Sequence, residues 1–234
     1  MRAVIVNADD LGYSRGINRG IAEAHDRGIV TSTSLMVDGP AVEEAVALAR
    51  ARPGLSVGLH VNFTNEGERL VEFEDPAACR ADLARQLERF QALLGRPPTH
   101  LDAHQHVHRG EVARPIFREA AARLGVHLRD EPPVTYKGGF YGQWEHGVSD
   151  PTKVSAAFLA GFLRAEFTDG LYELCCHPGY VDADASFVYH QDRELELAAL
   201  TDPSIRALLG ELGLRLAGWR DLPALVREGG RAGR

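Results

Sequence analysis

The chain has 234 residues, of which 44% are hydrophobic and 25% are charged, and its formal net charge is -7. This composition is typical of a globular domain with a substantial core, and we interpret residues 1–234 as a single domain. The acidic balance argues against nucleic acid as a partner, because binding a phosphate backbone needs a basic surface. No stretch reaches the length of a bilayer-spanning segment, so no membrane partner is predicted.

The cysteines indicate a reducing compartment. Two of the three, Cys175 and Cys176, are neighbours that would not normally bridge each other, so no disulfide framework is expected. The first residues, "MRAVIVNADD", form an apolar run that is too short for the core of a signal peptide. We therefore predict a cytoplasmic protein, and a homodimer is compatible with this interpretation.

Short β-rich runs alternate with longer helical patterns. The predicted strands lie at 3–8, 30–37, 55–63, 99–104, 126–130, 171–177 and 214–219. The predicted helices lie at 17–28, 41–52, 79–95, 112–125, about 151–165, about 192–200 and 203–211, with a last short helix after them. This alternation predicts parallel βαβ units, and seven strands favour a closed or nearly closed α/β barrel. An open doubly wound sheet is the alternative, because periodicity does not report closure.

Unusual polar residues follow the predicted strands at their C-terminal ends. In chain order they are Asp9, Asp10, His60, Asn62, Asp102, His104, Arg129 and His177. In βα barrels the active site is built at that end of the strands. Residues that are far apart in the sequence are therefore predicted to meet in one site.

The segment "THLDAHQHVHRG" at 99–110 contains four histidines. In an extended chain His104, His106 and His108 would share one face, whereas in a helix only His104 and His108 would do so. We expect one of the three to bind a metal ion and the others to orient neighbouring groups or contact a substrate. His100 is expected to be exposed to solvent.

Asp9 and Asp10 place two carboxylates at one strand end. Carboxylates with different neighbours can divide labour, one binding a metal and one acting as a base, although the same sequence is equally suited to a turn. One Asp and two His are a common set for a divalent ion with open positions. His177, held at a turn by Pro178, is either a general acid or a capping residue.

Five segments together resemble the YdjC-like, or ChbG-type, family of carbohydrate deacetylases. They are "VIVNADDLGYSRGINRGI", "GIVTSTSLMV", "VGLHVNFT", "PTHLDAHQHVH" and "CCHPGY", in family order from residue 3 to about residue 180. The resemblance implies a TIM-barrel-like fold and hydrolysis of the N-acetyl group of an amino sugar or short chitooligosaccharide. It also implies one divalent ion, magnesium or zinc, and a small carbohydrate as substrate.

The resemblance also assigns roles. Asp10, His60 and His104 would hold the ion, Asp9 would be the base, and His177 the candidate acid. The residues expected to contact substrate are Asn62, His106, His108, Arg129, Tyr141 and Trp144. The stretch "TNEGERLVEFEDPAA" looks shorter than in the chitooligosaccharide enzymes, so the length of the sugar stays open.

Two other functions are compatible with the residues. A metal-dependent sugar isomerase or epimerase would need an additional proton-shuttling acid or lysine, and Glu173 is the evident candidate on the sixth strand. A non-catalytic metal- or sugar-binding protein would need the ligands but not Asp9.

Overall fold

A curled sheet of parallel strands organises the chain. The computed structural model describes residues 2–65, 68–145, 147–182, 189 and 191–232. Its strands are β1 (Arg2–Leu11), β2 (Ser32–Leu35), β3 (Ser56–Val61), β4 (Thr64–Asn65), β5 (Glu68–Arg69), β6 (His100–Ala103), β7 (His127–Leu128), β8 (Val134–Lys137), β9 (Gly170–Cys176) and β10 (Arg215–Ala217). β4 and β5 pair only with each other, in antiparallel fashion, within the described residues.

The strand order of the large sheet is β7-β6-β3-β2-β1-β9-β8, and β10 pairs with the first half of β1. All of these pairs are parallel. Within the described chain β7 and β8 form the two ends and are not paired with each other, so the sheet is a curled half-barrel. The predicted α/β barrel-like class is confirmed.

Helices connect most of these strands. They are α1 (Arg15–Asp26), α2 (Val42–Ala51), α3 (Pro76–Leu94), α4 (Ala113–Leu124), α5 (Ala156–Glu166), α6 (Gln191–Thr201), α7 (Pro203–Glu211) and α8 (Leu222–Ala232). Local sequence sets several of their ends: the Ser14 hydroxyl caps α1, and Gly95 ends α3 in a left-handed conformation. No helix in the described residues has the length and apolar composition needed to cross a membrane.

Apolar side chains fill both faces of β1, as expected for a central parallel strand. Val4, Val6 and Ala8 belong to the main core under the helices. Ala3 and Ile5 belong to a second cluster, in which Trp219, Leu222 and Leu225 pack near the N-terminal ends of the strands. The opposite, C-terminal ends of the strands are left for polar residues. The three cysteines are free and buried.

Two details differ from the sequence prediction. No strand is predicted between 130 and 171, yet β8 lies at Val134–Lys137; no helix separates it from β7 to mark a new strand in the sequence. His100 is fully buried rather than exposed, since its ring stacks on Trp219 with 5.0 Å between centroids. Gly58 makes room for this imidazole, because a Cβ atom there would lie 2.3 Å from the ring.

Candidate active site

A cavity of about 590 Å³ opens at the C-terminal ends of the strands. Its lining includes Asp9, Asp10, His60, His104, His106, Tyr136, Tyr141, Trp144, His177, Tyr189 and Arg193. β1, β3 and β9 bring their terminal residues here because parallel strands end at the same edge of the sheet.

The backbone at the end of β1 sends the two aspartates in different directions. Asp10 has φ of 70°, a left-handed conformation that Asp tolerates better than most residues. Asp9 consequently faces Arg129 beneath the cavity, and Asp10 faces two histidines. Adjacent carboxylates thus have separate environments.

Asp10, His60 and His104 form a compact cluster in which the possible ligand atoms all lie within 4.8 Å of one another. Asp10 Oδ1 lies 3.3 Å from His60 Nε2 and 3.2 Å from His104 Nδ1. The second nitrogen of His60, Nδ1, bonds Asp102 Oδ1 at 2.7 Å. A carboxylate behind a histidine in this way fixes the ring and leaves the other nitrogen for a ligand.

The cluster strongly favours a positive charge. Burial lowers the pKa of His60, but the carboxylates of Asp102 and Asp9 more than offset this and raise it to about 10. The pKa of Asp10 lies well below its usual range because Arg193 and the two histidines outweigh its burial. Two imidazoles and a carboxylate are a common set of ligands for a divalent ion, which would bind there in place of a proton.

Arg129 is a buried hub under the floor of the cavity. Its Nη1 and Nη2 donate to the two oxygens of Asp9, each at 2.7 Å, and Nη2 also lies 2.9 Å from Asp102 Oδ2. Its Nε donates to Glu173 Oε1 at 2.8 Å. Burial raises the pKa of Asp9, yet Arg129 and His60 bring it down to about 2, so Asp9 is ionised at neutral pH.

His177 lines the same cavity and lies close to Asp9. Its possible ligand atom lies within 4.8 Å of those of Asp9 and Cys175. Its backbone N–H donates a hydrogen bond to Glu196, which also accepts a hydrogen bond from the Tyr189 hydroxyl. Burial lowers the pKa of His177 to about 4, although Asp9 and Asp10 partly counteract this.

Three of the six residues predicted to contact substrate line the cavity. They are His106, Tyr141 and Trp144. The Tyr136 hydroxyl lies 3.2 Å from His106 Nε2, and Trp144 is 66% exposed at the cavity. These side chains offer an aromatic and polar wall to an incoming molecule.

The structure does not bring the other three to the cavity lining. The Asn62 backbone exchanges two hydrogen bonds with the Gln86 side chain, each at 3.0 Å. His108 is buried beside Phe117, and Arg129 is the hub described above. The strand ends could be predicted from the sequence, but the directions in which these side chains point could not.

The histidine segment is neither extended nor regularly helical. A short 3-10 turn spans His104–Arg109, and Gln105 and His106 within it have left-handed φ values of 51° and 56°. This backbone separates the three imidazoles, so that His104 reaches the cluster, His106 the cavity wall and His108 the interior.

Three charged residues on α6 are buried and were not expected from the sequence: Asp192, Arg193 and Glu196, which are 1%, 5% and 0% exposed. In the sequence they belong to the charged run "DRELE", which is typical of a solvated helix face. Only the packing of α6 against the cavity reveals them.

A family model described as "YdjC-like protein" matches residues 3–211. The chain belongs to the YdjC-like family. Among relatives, a chitooligosaccharide deacetylase of Serratia marcescens is 34% identical over 259 aligned positions, covering 94% of this chain and 99% of the relative. A carbohydrate deacetylase of Geobacillus stearothermophilus is 36% identical over 255 positions, covering 94% and 98%.

Solved structures show the same fold. A protein of Enterococcus faecalis V583 superposes with a TM-score of 0.80 at 24% identity, covering 94% of this chain and 98% of that one. A family 4 carbohydrate esterase from Streptomyces lividans, solved with acetate, gives 0.58 at 14% identity, covering 93% and 91%. This chain and the Streptomyces lividans esterase therefore share a fold.

Proposed function

We propose that this YdjC-like protein hydrolyses the N-acetyl group of an amino sugar or short chitooligosaccharide and releases acetate. Its curated relatives include chitooligosaccharide and carbohydrate deacetylases that align over nearly their full length. The observation that carries the proposal is the cluster of Asp10, His60 and His104 beside Asp9 and His177 at one cavity.

The residues fit one divalent ion, magnesium or zinc. His104 Nε2 is buried without a hydrogen-bond partner in the described residues, and His60 already carries the carboxylate support that is typical of a metal ligand. Asp10, His60 and His104 would hold the ion. When bound, such an ion polarises an amide carbonyl and acidifies water.

Asp9 serves as the base that accepts a proton from the attacking water. Arg129 grips both of its oxygens and Asn7 Nδ2 donates to Oδ1 at 2.8 Å, so the carboxylate cannot rotate away. The same contacts keep it ionised at neutral pH, which is the form that a base requires.

His177 serves as the acid that protonates the departing sugar amine. Because burial lowers its pKa to about 4, the free protein holds it neutral at pH 7, and it must gain a proton before donating one. Protonated Asp9 is a source of that proton: the pKa of Asp9 is the lower of the two, and the groups lie within 4.8 Å. His177 then passes the proton to the amine, which would otherwise leave as an amide anion.

The two rival functions receive less support. Glu173, the acid that an isomerase would need, is fully buried against Arg129 and does not line the cavity. Asp9, which a binding protein would not need, lines the cavity beside the cluster.

The test is acetate release from a panel of N-acetylated mono- and disaccharides. The protein is stripped with a chelator and assayed alone and with Mg²⁺, Zn²⁺ or Co²⁺. We expect release only with an ion present, and loss of release in His60→Ala. A metal-loaded protein that releases no acetate but interconverts sugars would favour the isomerase.

A further inference from the structure

The Arg193 guanidinium contacts both Asp10, in the cluster with His60 and His104, and the backbone of His177. Arg193, on α6, is buried and lines the cavity. Its Nη2 donates to Asp10 Oδ2 at 2.6 Å, its Nε to the Tyr189 carbonyl at 2.7 Å and its Nη1 to the His177 carbonyl at 3.4 Å. Two backbone carbonyls therefore help to fix the orientation of the charge that meets Asp10.

This contact divides the two oxygens of Asp10. Oδ1 lies near His60 Nε2 and His104 Nδ1, whereas Oδ2 faces Arg193. A charge-assisted hydrogen bond of this length holds the oxygen firmly. Asp10 thus presents one oxygen, rather than two, to the centre of the cluster.

We propose that Arg193 is a positioning residue that restricts Asp10 to one ion-facing oxygen and weakens ion binding by its fixed charge. The inference rests on the proposed function of the cluster. Catalytic metal sites with three protein ligands keep a position open for water or substrate, and a second Asp10 oxygen would occupy it. The guanidinium charge acts in the same sense, since it opposes a cation bound nearby.

A purely supporting role for Arg193 would change the ion affinity of a variant in the opposite direction. If Arg193 only held Asp10 in place, removing it would leave the carboxylate less well oriented and would weaken ion binding. If Arg193 restrains the carboxylate and repels the ion, removing it frees a second oxygen and strengthens ion binding. The direction of the change in ion affinity therefore separates the two roles.

The experiment is calorimetric titration of Co²⁺ into the chelator-stripped, full-length protein and its variants. We expect Arg193→Met to bind Co²⁺ at least about tenfold more tightly than wild type, since a fixed neighbouring charge is removed. Its visible Co²⁺ spectrum should change, because a freed oxygen alters the coordination. Arg193→Lys, which keeps the charge, should stay within about threefold of wild type.

Arg85→Met is the matched control, since it also deletes one charge paired with an aspartate, Asp38, but lies outside the cavity lining. Equal or weaker Co²⁺ binding by folded Arg193→Met overturns the proposal, and so does equal tightening in Arg85→Met. If Arg193→Met does not fold, Arg193→Gln, which keeps an amide donor for Asp10, replaces it with the same expected direction and the same overturning result. Wild-type protein that binds no Co²⁺ would instead contradict the proposed function.

Discussion

At the residue scale, the molecule gives different chemistry to identical side chains. Asp9 and Asp10 are adjacent, yet a left-handed backbone turns one toward Arg129 and the other toward His60 and His104. The first is held ionised, as its proposed role as a base requires, and the second is a proposed ligand of the ion. The same principle separates His104 from His108, whose ring lies in the interior.

Replacing Asp9 by Asn tests the base. The amide cannot accept the proton, so we expect acetate release to fall by at least about 10²-fold, the usual contribution of a general base. Arg129 keeps Asp102 and Glu173 as partners, so the fold should survive. Metal content, measured by atomic emission, should match wild type. Near-normal activity would move the base to another residue.

Replacing His177 by Gln tests the acid through the leaving group. The variant keeps a polar side chain but cannot deliver a proton, so kcat on an N-acetyl sugar should fall by about 10²-fold or more. An aryl acetate, whose leaving group needs no proton, should lose much less. Parallel kinetics on both substrates provide the measurement. Equal losses would give His177 a role in positioning or folding.

At the element scale, strand ends were predictable and side-chain directions were not. Hydrophobic runs located β1, β3, β6 and β9, and with them the residues that meet at the cavity. The exposure expected for His100 was wrong because Trp219, more than a hundred residues later, covers it. Arg129 was placed at the right strand end but lies below the cavity, since three carboxylates draw it inward.

The packing of β3 against β6 gives a stability prediction. In Gly58→Ala the new Cβ would meet the His100 ring at 2.3 Å, and we expect the free energy of unfolding to fall by about 1–3 kcal/mol, as in other overpacked cores. The control is Gly161→Ala on α5, where nothing lies within 4 Å of the added atom. That variant should gain about 0.5–1 kcal/mol, because glycine is unfavourable inside a helix. Urea denaturation measures both, and an unchanged Gly58→Ala midpoint would contradict the packing.

At the scale of the whole molecule, we expect buried His100 and half-buried His127 to make the metal-free fold sensitive to acid. Burial lowers the pKa of His127 to about 4 and also lowers that of His100. Both stack on Trp219, at the end of the barrel opposite the cavity.

We therefore expect stability to fall as pH drops from about 6.5, where an unfolded histidine titrates, toward 4, where folded His127 does. The sign follows because the unfolded chain binds more protons than the folded one in this window. His127→Phe keeps the stacking on Trp219 but removes one titrating group, so its urea midpoint should depend less on pH. The comparison uses chelator-treated protein between pH 7 and pH 4. Identical pH slopes would show that His127 does not contribute.

The most direct test of the proposed ion site is a crystal structure of the protein grown with Zn²⁺, with anomalous diffraction measured on both sides of the zinc edge. We predict one strong anomalous peak between Asp10, His60 and His104, with Asp9 and His177 facing the same cavity and outside the coordination sphere. A peak held instead by Asp9, Cys175 and His177, or no peak at the Asp10 cluster, would contradict it.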